Sequence, residues 1–272
     1  MQETIFFNGK FLREEAKAAE NSVASLYALG LFETMRSCNN KIAYLEQHIE
    51  RIKSSAKLIG IKLIYSPDKL KKIIRETVSL NSVKDARVKL TLWRAESKSA
   101  ILVTAREYKP YPLRKYNTGF SVNISRFRQD ENSLLARIKT TSRILYRLSL
   151  EEARRKGFDE AFILNNHGFI AEATRSNVFL VKSGDLFTPS LACGCLDGIT
   201  RRAVLDLARR NNIKAYEGKF TPLDLYDADE VFLTSSLMGL MPVSSLERKK
   251  IGQAKCNSLT KFLIRKYNCL LK

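Results

Sequence analysis

Histidine is nearly absent from this chain: His48 and His167 are its only two in 272 residues. A zinc site built on imidazole, or a Ser/His triad, needs histidine beside other ligands or a nucleophile, so neither chemistry is expected. Acidic residues are scarce as well, with 28 Asp and Glu against 47 Lys and Arg, a formal charge of +19. The five cysteines (Cys38, Cys193, Cys195, Cys256 and Cys269) form an odd, scattered set. Cys193-Gly194-Cys195 has no second pair and no histidine near it, so the thiols read as reduced thiols of a cytoplasmic protein, and no metal is expected. No apolar run approaches the ~18–20 residues that span a bilayer, so no membrane partner is expected. The opening residues, MQETIFFNGKFLREEAK, lack the apolar segment and cleavage site of a signal peptide, and none is read.

The positive charge has no focus. Lysines and arginines run from Lys10 to Lys272, and the nearest thing to a patch, RKKIGQAK, has no interleaved aromatics. Solvated basic helix faces account for it, and nucleic acid is not expected as a partner. A basic surface would also attract a polyanionic substrate. At 44% hydrophobic and 28% charged, the composition is that of a globular protein with room for one large or two modest domains.

Taken in order, TIFFNGKFL places two short apolar runs about Asn8-Gly9, a hairpin signal. GLFETMRS is strand-like, Asn39-Asn40 is a turn, and KIAYL is expected to return as a strand. LEQHIERIKSSAKLIG is an amphipathic helix with Leu45, Ile49, Ile52, Ala56 and Ile59 on one face and Gly60 as its stop. A second helix starts at Ser66-Pro67-Asp68. ARVKLTLWRA and SAILVTAREY pair as strands. KPYPLRKYNTG reads as a linker, FSVNISRF as a strand and RQDENSLLAR as a loop. TSRILYRLSLEEARRKG is a helix closed by Gly157, and DEAFILN and GFIAEA form a hairpin about Asn165–Gly168. SNVFLVKSGDLFTP gives two strands, GITRRAVLDLARRNN a helix, DADEVFLTSS a strand and CNSLTKFLIRKYNCLL a last helix. The expected class is α+β with a small domain over residues 1–113, a linker and first strand over 114–128, and a larger strand-rich domain with outer helices over 129–272.

Within Lys139–Arg201 the chain supplies a lysine before a helix, a glutamate in a strand-turn context and a Gly-Ile-Thr step opening another helix. A helix N-terminus has unpaired N–H groups and suits a phosphate. A lysine, a carboxylate and an anion cradle are what a protein supplies to pyridoxal phosphate.

Nearly the whole chain then resembles one family, the fold-type IV pyridoxal-phosphate enzymes of aminotransferase class IV. The likeness runs through GLFETMR, YLEQHIERIKSSAKLIGI, LWRA, IKTT, EEARRKGFDEAF, GFIAEATRSNVF, LFTP, GITRRAVLDLA and DEVFLTSSLMGLMPV. The resemblance implies that Lys139 is the Schiff-base lysine and Glu172 the partner of the pyridine nitrogen. It makes Arg51, Ile199, Thr200 and Ser236 ligands of the cofactor phosphate, with the neighbouring Ser235 as the alternative to Ser236, and Asn177 holding the turn near Glu172. His48 reads as structural. Phe32, Trp93 and Met238, with Tyr27 and Tyr111 as further aromatics, are candidates for the substrate pocket. A homodimer is implied too.

The branch of the family is read from departures. Phe32 stands where D-amino-acid aminotransferases have tyrosine, the R-x-H pair of those enzymes is missing, and so is the arginine-proline signature of branched-chain enzymes. FETMR and SSLMGLMPV are similar to 4-amino-4-deoxychorismate lyases, with Thr34 as a proton-transfer candidate. The first expectation is therefore that lyase, releasing pyruvate and 4-aminobenzoate toward folate. The alternative is an amino-acid:2-oxo-acid aminotransferase for branched-chain or D-amino acids, and a third reading is an anion- or nucleic-acid-binding protein with a degenerate site.

Overall fold

The computed structural model describes residues 3–13, 29–95, 98–252 and 258–271. Tyr27 and Cys256 lie outside the described residues. Contacts divide the chain into two units. One takes the described residues within Met1–Lys109, Ile138–Ser142 and Leu271–Lys272; the other takes Pro110–Arg137 and Arg143–Leu270.

The first unit is built on a six-stranded sheet in the order β2-β1-β6-β5-β3-β4. Strands β1 (Thr4–Phe7) and β2 (Lys10–Arg13) form the expected hairpin, whose turn needs positive φ at Asn8 and Gly9. The long strands β3 (Gly30–Cys38), β5 (Asp85–Ala95) and β6 (Lys98–Glu107) are antiparallel neighbours. Helices α1 (Leu45–Leu58) and α2 (Pro67–Leu80) cover one face. Their apolar stripes, including Leu45, Ile49, Ile52, Leu70, Ile73 and Ile74, meet Leu31, Met35, Val88, Leu90 and Val103 in one core. On the opposite face Ile5, Trp93 and Leu102 make a smaller cluster, with Phe7 stacked on Trp93. The return strand expected over KIAYL is short: β4 is Lys41–Ile42, because Tyr44 turns left-handed (φ 53°) to begin α1.

The second unit carries a nine-stranded mixed sheet, β12-β11-β10-β13-β14-β7-β8-β9, with β15 (Lys249–Lys250) added to β14. Its members are β7 (Phe120–Gln129), β8 (Glu160–Asn165), β9 (Ile170–Ala173), β10 (Asn177–Lys182), β11 (Asp185–Pro189), β12 (Ala215–Gly218), β13 (Glu230–Ser235) and β14 (Gly239–Leu246). β8 and β9 are buried along their whole length, as strands covered on both faces must be. α5 (Ile144–Arg155) packs on β7 and β8, α7 is the short helix Pro222–Tyr226, and α6 (Ile199–Arg210) and α8 (Leu259–Leu270) pack on each other and on β13.

Two segments expected to be irregular are not. The linker contains helix α3, Leu113–Thr118, entered through Pro112 and closed at Gly119 with φ 75°. The loop over RQDENSLLAR is in part the end of β7 and in part a single helical turn, α4 (Leu134–Arg137). The fold class is the expected α+β.

Candidate active site

Lys139 belongs to the first unit although it lies far along the chain. Its segment is stitched to the start of β3. Phe32 N–H donates to the Lys139 carbonyl at 2.9 Å, and Thr141 N–H donates to the Gly30 carbonyl at 2.8 Å. Gly30 makes room for this, since a Cβ there would stand 3.1 Å from Leu92 O, Thr141 Oγ1 and Trp93 Cβ. The half-buried Lys139 side chain places Nζ 4.9 Å from the centroid of the Phe32 ring, and Lys89 Nζ lies 5.8 Å from the same centroid.

Alternation along β3 sends Leu31, Glu33, Met35 and Ser37 toward α1 and leaves Phe32, Thr34 and Arg36 on the other face. Glu33 therefore sits where apolar side chains are the rule. Its carboxylate accepts from Arg51 Nε at 2.7 Å and Nη2 at 2.6 Å, and from His48 Nδ1 at 2.6 Å. Arg51 and His48 are one turn apart on α1 and share its inner face. Burial alone would raise the Glu33 pKa; the Arg51 charge and the three hydrogen bonds outweigh it and hold the carboxyl at about 2. Burial lowers the His48 pKa against the pull of Glu33, with the Arg51 and Lys139 charges adding to the fall, so His48 is neutral and donates through Nδ1.

Thr34 pairs with Lys89 across the sheet, and Phe32 with Thr91. Trp93, expected at a pocket wall, is 5% exposed and packed among Ile5, Phe7 and Leu102, so it is a core aromatic of that face.

In the second unit Glu172 lies on β9, 5% exposed. It accepts from Tyr146 Oη at 2.8 Å and from Leu196 N–H at 3.2 Å. Burial, then the Glu172 charge, raises the Tyr146 pKa, and the same two causes push the Cys195 thiol up to about 12. Leu196 also joins Glu172 to the expected turn residue, because its carbonyl accepts from Asn177 Nδ2 at 2.7 Å. Asn177 Oδ1 occupies the space a Cβ on Gly198 would need. Gly198 has φ −73°, so glycine is required there for room, not for backbone conformation. Beyond it Ile199 and Thr200 open α6, whose first turn has no acidic residue. Thr200 Oγ1 lies 3.4 Å from Tyr267 Oη, and the Tyr267 ring also packs against Gly239. Ser235 and Ser236 are half-buried at the end of β13, with Met238 N–H donating weakly to Ser235 Oγ at 3.4 Å. Met238 itself is part of the core of this unit, and its carbonyl accepts from Tyr116. Tyr111 is a core aromatic too, edge-on to Phe120.

Each unit thus gathers its own share of the expected residues: Lys139, Phe32 and Arg51 in the first; Glu172, Asn177, Gly198–Thr200 and Ser235–Ser236 in the second. The donor sets suit a phosphorylated pyridine aldehyde. α6 offers a helix N-terminus whose cap must be glycine, Arg51 a guanidinium, Glu172 a buried carboxylate and Lys139 an amine. The partners that orient them, Glu33, His48, Tyr146 and the Leu196 backbone, were not singled out as functional from the sequence. Glu33 had one signal, a charged residue at an inward position of an alternating strand.

The profile of the amino-transferase class IV family matches residues 30–246. A Methanocaldococcus jannaschii protein named "Putative branched-chain-amino-acid aminotransferase" is 31% identical over 274 residues, covering 97% of this chain and 94% of its own. Among solved structures, the Escherichia coli branched-chain amino acid aminotransferase superposes with a TM-score of 0.94 at 26% identity, covering all of this chain and 95% of that one. The branched-chain aminotransferase of the thermophilic archaeon Thermoproteus uzoniensis, solved with norvaline, gives 0.92 at 26% identity, over all of this chain and 95% of that one. These relatives overturn the first expectation of a 4-amino-4-deoxychorismate lyase: they are branched-chain aminotransferases along nearly the whole chain. That expectation leaned on missing motifs, while the likeness itself runs along nearly the whole chain.

Proposed function

This chain belongs to the amino-transferase class IV family, and we propose that it is an aminotransferase moving the amino group between a branched-chain amino acid and a 2-oxo acid. The observation that carries the substrate reading is the match to branched-chain aminotransferases along 97% of the chain. Pyridoxal phosphate is the cofactor of this family reading, and when bound it supplies an electron sink for the substrate's α-carbon.

The rest of the chemistry falls to side chains. Lys139 Nζ would hold the cofactor covalently between turnovers and carry the proton to and from the substrate α-carbon. The Phe32 ring beside it gives an apolar flank against which an aliphatic side chain can pack. Glu172, fixed by Tyr146 and Leu196, would keep the ring nitrogen protonated. The N–H groups of Ile199 and Thr200, the Arg51 guanidinium and the hydroxyls of Ser235 and Ser236 would anchor the phosphate. Asn177 sets the position of the α6 entrance through Leu196. Thr34 was a candidate only within the lyase reading and receives no role here.

A homodimer belongs to the same proposal. Ile144 and Leu148, four residues apart on α5, are exposed, as are Leu134 and Leu135, and a second copy would cover such side chains. The test of function is turnover of leucine, isoleucine or valine with 2-oxoglutarate by the purified, pyridoxal-phosphate-loaded protein. Formation of the matching 2-oxo acid and glutamate is expected; no amino transfer to any 2-oxo acid would refute the reading.

A further inference from the structure

The inward row of β3 contains one charged residue, Glu33, buried to 1% exposure among Leu31, Met35 and the apolar stripe of α1. A lone carboxylate is not tolerated in such a place unless it is paired. Its partner Arg51 is held by two nitrogens at once, Nε on Oε1 and Nη2 on Oε2. A planar guanidinium gripped by two parallel bonds can neither rotate nor tilt. His48, one turn earlier on the same helix, adds a third bond to Oε2 and so fixes the carboxylate itself. The edge of the fork bearing Nη1 is consequently aimed by Glu33, not by Arg51's own flexible stem.

We propose that Glu33 is the positioning residue of the phosphate grip: it acts through Arg51 and orients the guanidinium edge that meets the cofactor phosphate. This rests on the reading of Arg51 as a phosphate ligand. Glu33 touches neither cofactor nor substrate and is not a catalytic residue. His48 serves as the prop of Glu33. The ionisation of Glu33, with a pKa of about 2, keeps all three acceptor contacts in place at neutral pH.

A purely structural ion pair and a positioning pair predict opposite signs. Glu33→Gln removes the compensating negative charge, so electrostatics alone would draw a phosphate more tightly to Arg51. It also puts an N–H donor where Arg51 needs an acceptor, so one of the two bonds is lost and the fork is released. Positioning therefore predicts weaker phosphate binding despite the gain in positive charge.

The experiment titrates the cofactor-free protein with pyridoxal phosphate and, separately, with pyridoxal, which lacks the phosphate, following the visible absorbance of the lysine-bound form. For Glu33→Gln the dissociation constant for pyridoxal phosphate should rise by at least about tenfold, as when a supporting partner is removed, while that for pyridoxal changes less than about twofold. Arg51→Gln should give the same selective loss, and the double variant should be no worse than Arg51→Gln alone. Where Glu33→Gln does not fold, Glu33→Asp keeps the charge on a shorter stem; a selective loss of severalfold is expected there too. A Glu33 variant that binds pyridoxal phosphate as tightly as the wild type or more so, or that loses both ligands equally, overturns the proposal. If Arg51→Gln itself shows no preference between the two ligands, the underlying assignment of Arg51 has failed instead.

Discussion

Replacing Gly198 by alanine sets two effects of opposite sign against each other. At φ −73° and ψ 136° alanine is unstrained, and by restricting the unfolded chain it would stabilise the protein by about 0.4–1 kcal/mol. The space, however, is taken. The new Cβ would overlap Asn177 Oδ1 and stand 3.1 Å from Asn177 Cγ and 3.3 Å from Arg201 Cβ. Asn177 can yield only by turning away from Leu196, which leaves a buried carbonyl without its 2.7 Å donor. That loss costs about 1–3 kcal/mol, and overpacking a closed site about 1–3 kcal/mol more. The net is a destabilisation of about 1–6 kcal/mol, or roughly 2–20 °C in melting temperature. Because Leu196 N–H also holds Glu172, pyridoxal-phosphate binding should weaken in parallel. Calorimetry and cofactor titration check both. In an Asn177→Ala background the same Gly198→Ala change should cost less than about 1 kcal/mol, since the colliding oxygen is gone. A Gly198→Ala protein that melts at or above the wild-type temperature with unchanged cofactor affinity would refute the account of the α6 entrance.

Tyr146→Phe removes a donor to Glu172 and should destabilise the protein by about 1–3 kcal/mol and lower cofactor affinity, measured by urea unfolding and titration. Acid should unfold the protein in two stages. The unfolded chain binds a proton at His48 near pH 6.5 that the folded protein refuses, so stability starts to fall there. Glu33, depressed from 4.5 to about 2, contributes on the order of 3 kcal/mol above pH 4.5 that is lost as pH drops through about 2, and Glu33→Gln should erase this lower stage in urea titrations. Cys195, its thiol pushed up to about 12, should resist alkylation in the folded protein at pH 8, whereas rapid modification without unfolding would contradict its buried place beside Glu172.

Much of the fold was legible because it is local. Asn8-Gly9 specifies its hairpin, the spacing of Leu45, Ile49, Ile52 and Ala56 specifies α1, and Gly157, at φ 83°, follows α5 where a left-handed residue is needed. Where reading failed, punctuation misled. Pro110 and Pro112 suggested an extended linker, yet Pro112 opens α3. The site divides in the same way. Lys139, Arg51, Glu172 and the Gly198-Ile199-Thr200 step are chemically distinctive and keep their spacing. Their partners are not: Tyr146 is separated by 26 residues from Glu172, and Glu33 by 18 from Arg51, and no periodicity connects residues joined only by tertiary hydrogen bonds. The substrate branch was misread because it was argued from motifs that are missing, whereas the likeness to branched-chain aminotransferases runs along nearly the whole chain.

Amino transfer through Lys139 is best checked by adding leucine alone to the pyridoxal-phosphate-loaded protein. The visible absorbance of the lysine-bound cofactor should disappear, about one equivalent of leucine's 2-oxo acid should form per site, and added 2-oxoglutarate should restore the colour. Lys139→Ala should show no lysine-bound absorbance at the outset. An unchanged spectrum with no 2-oxo acid from leucine, isoleucine or valine would contradict it.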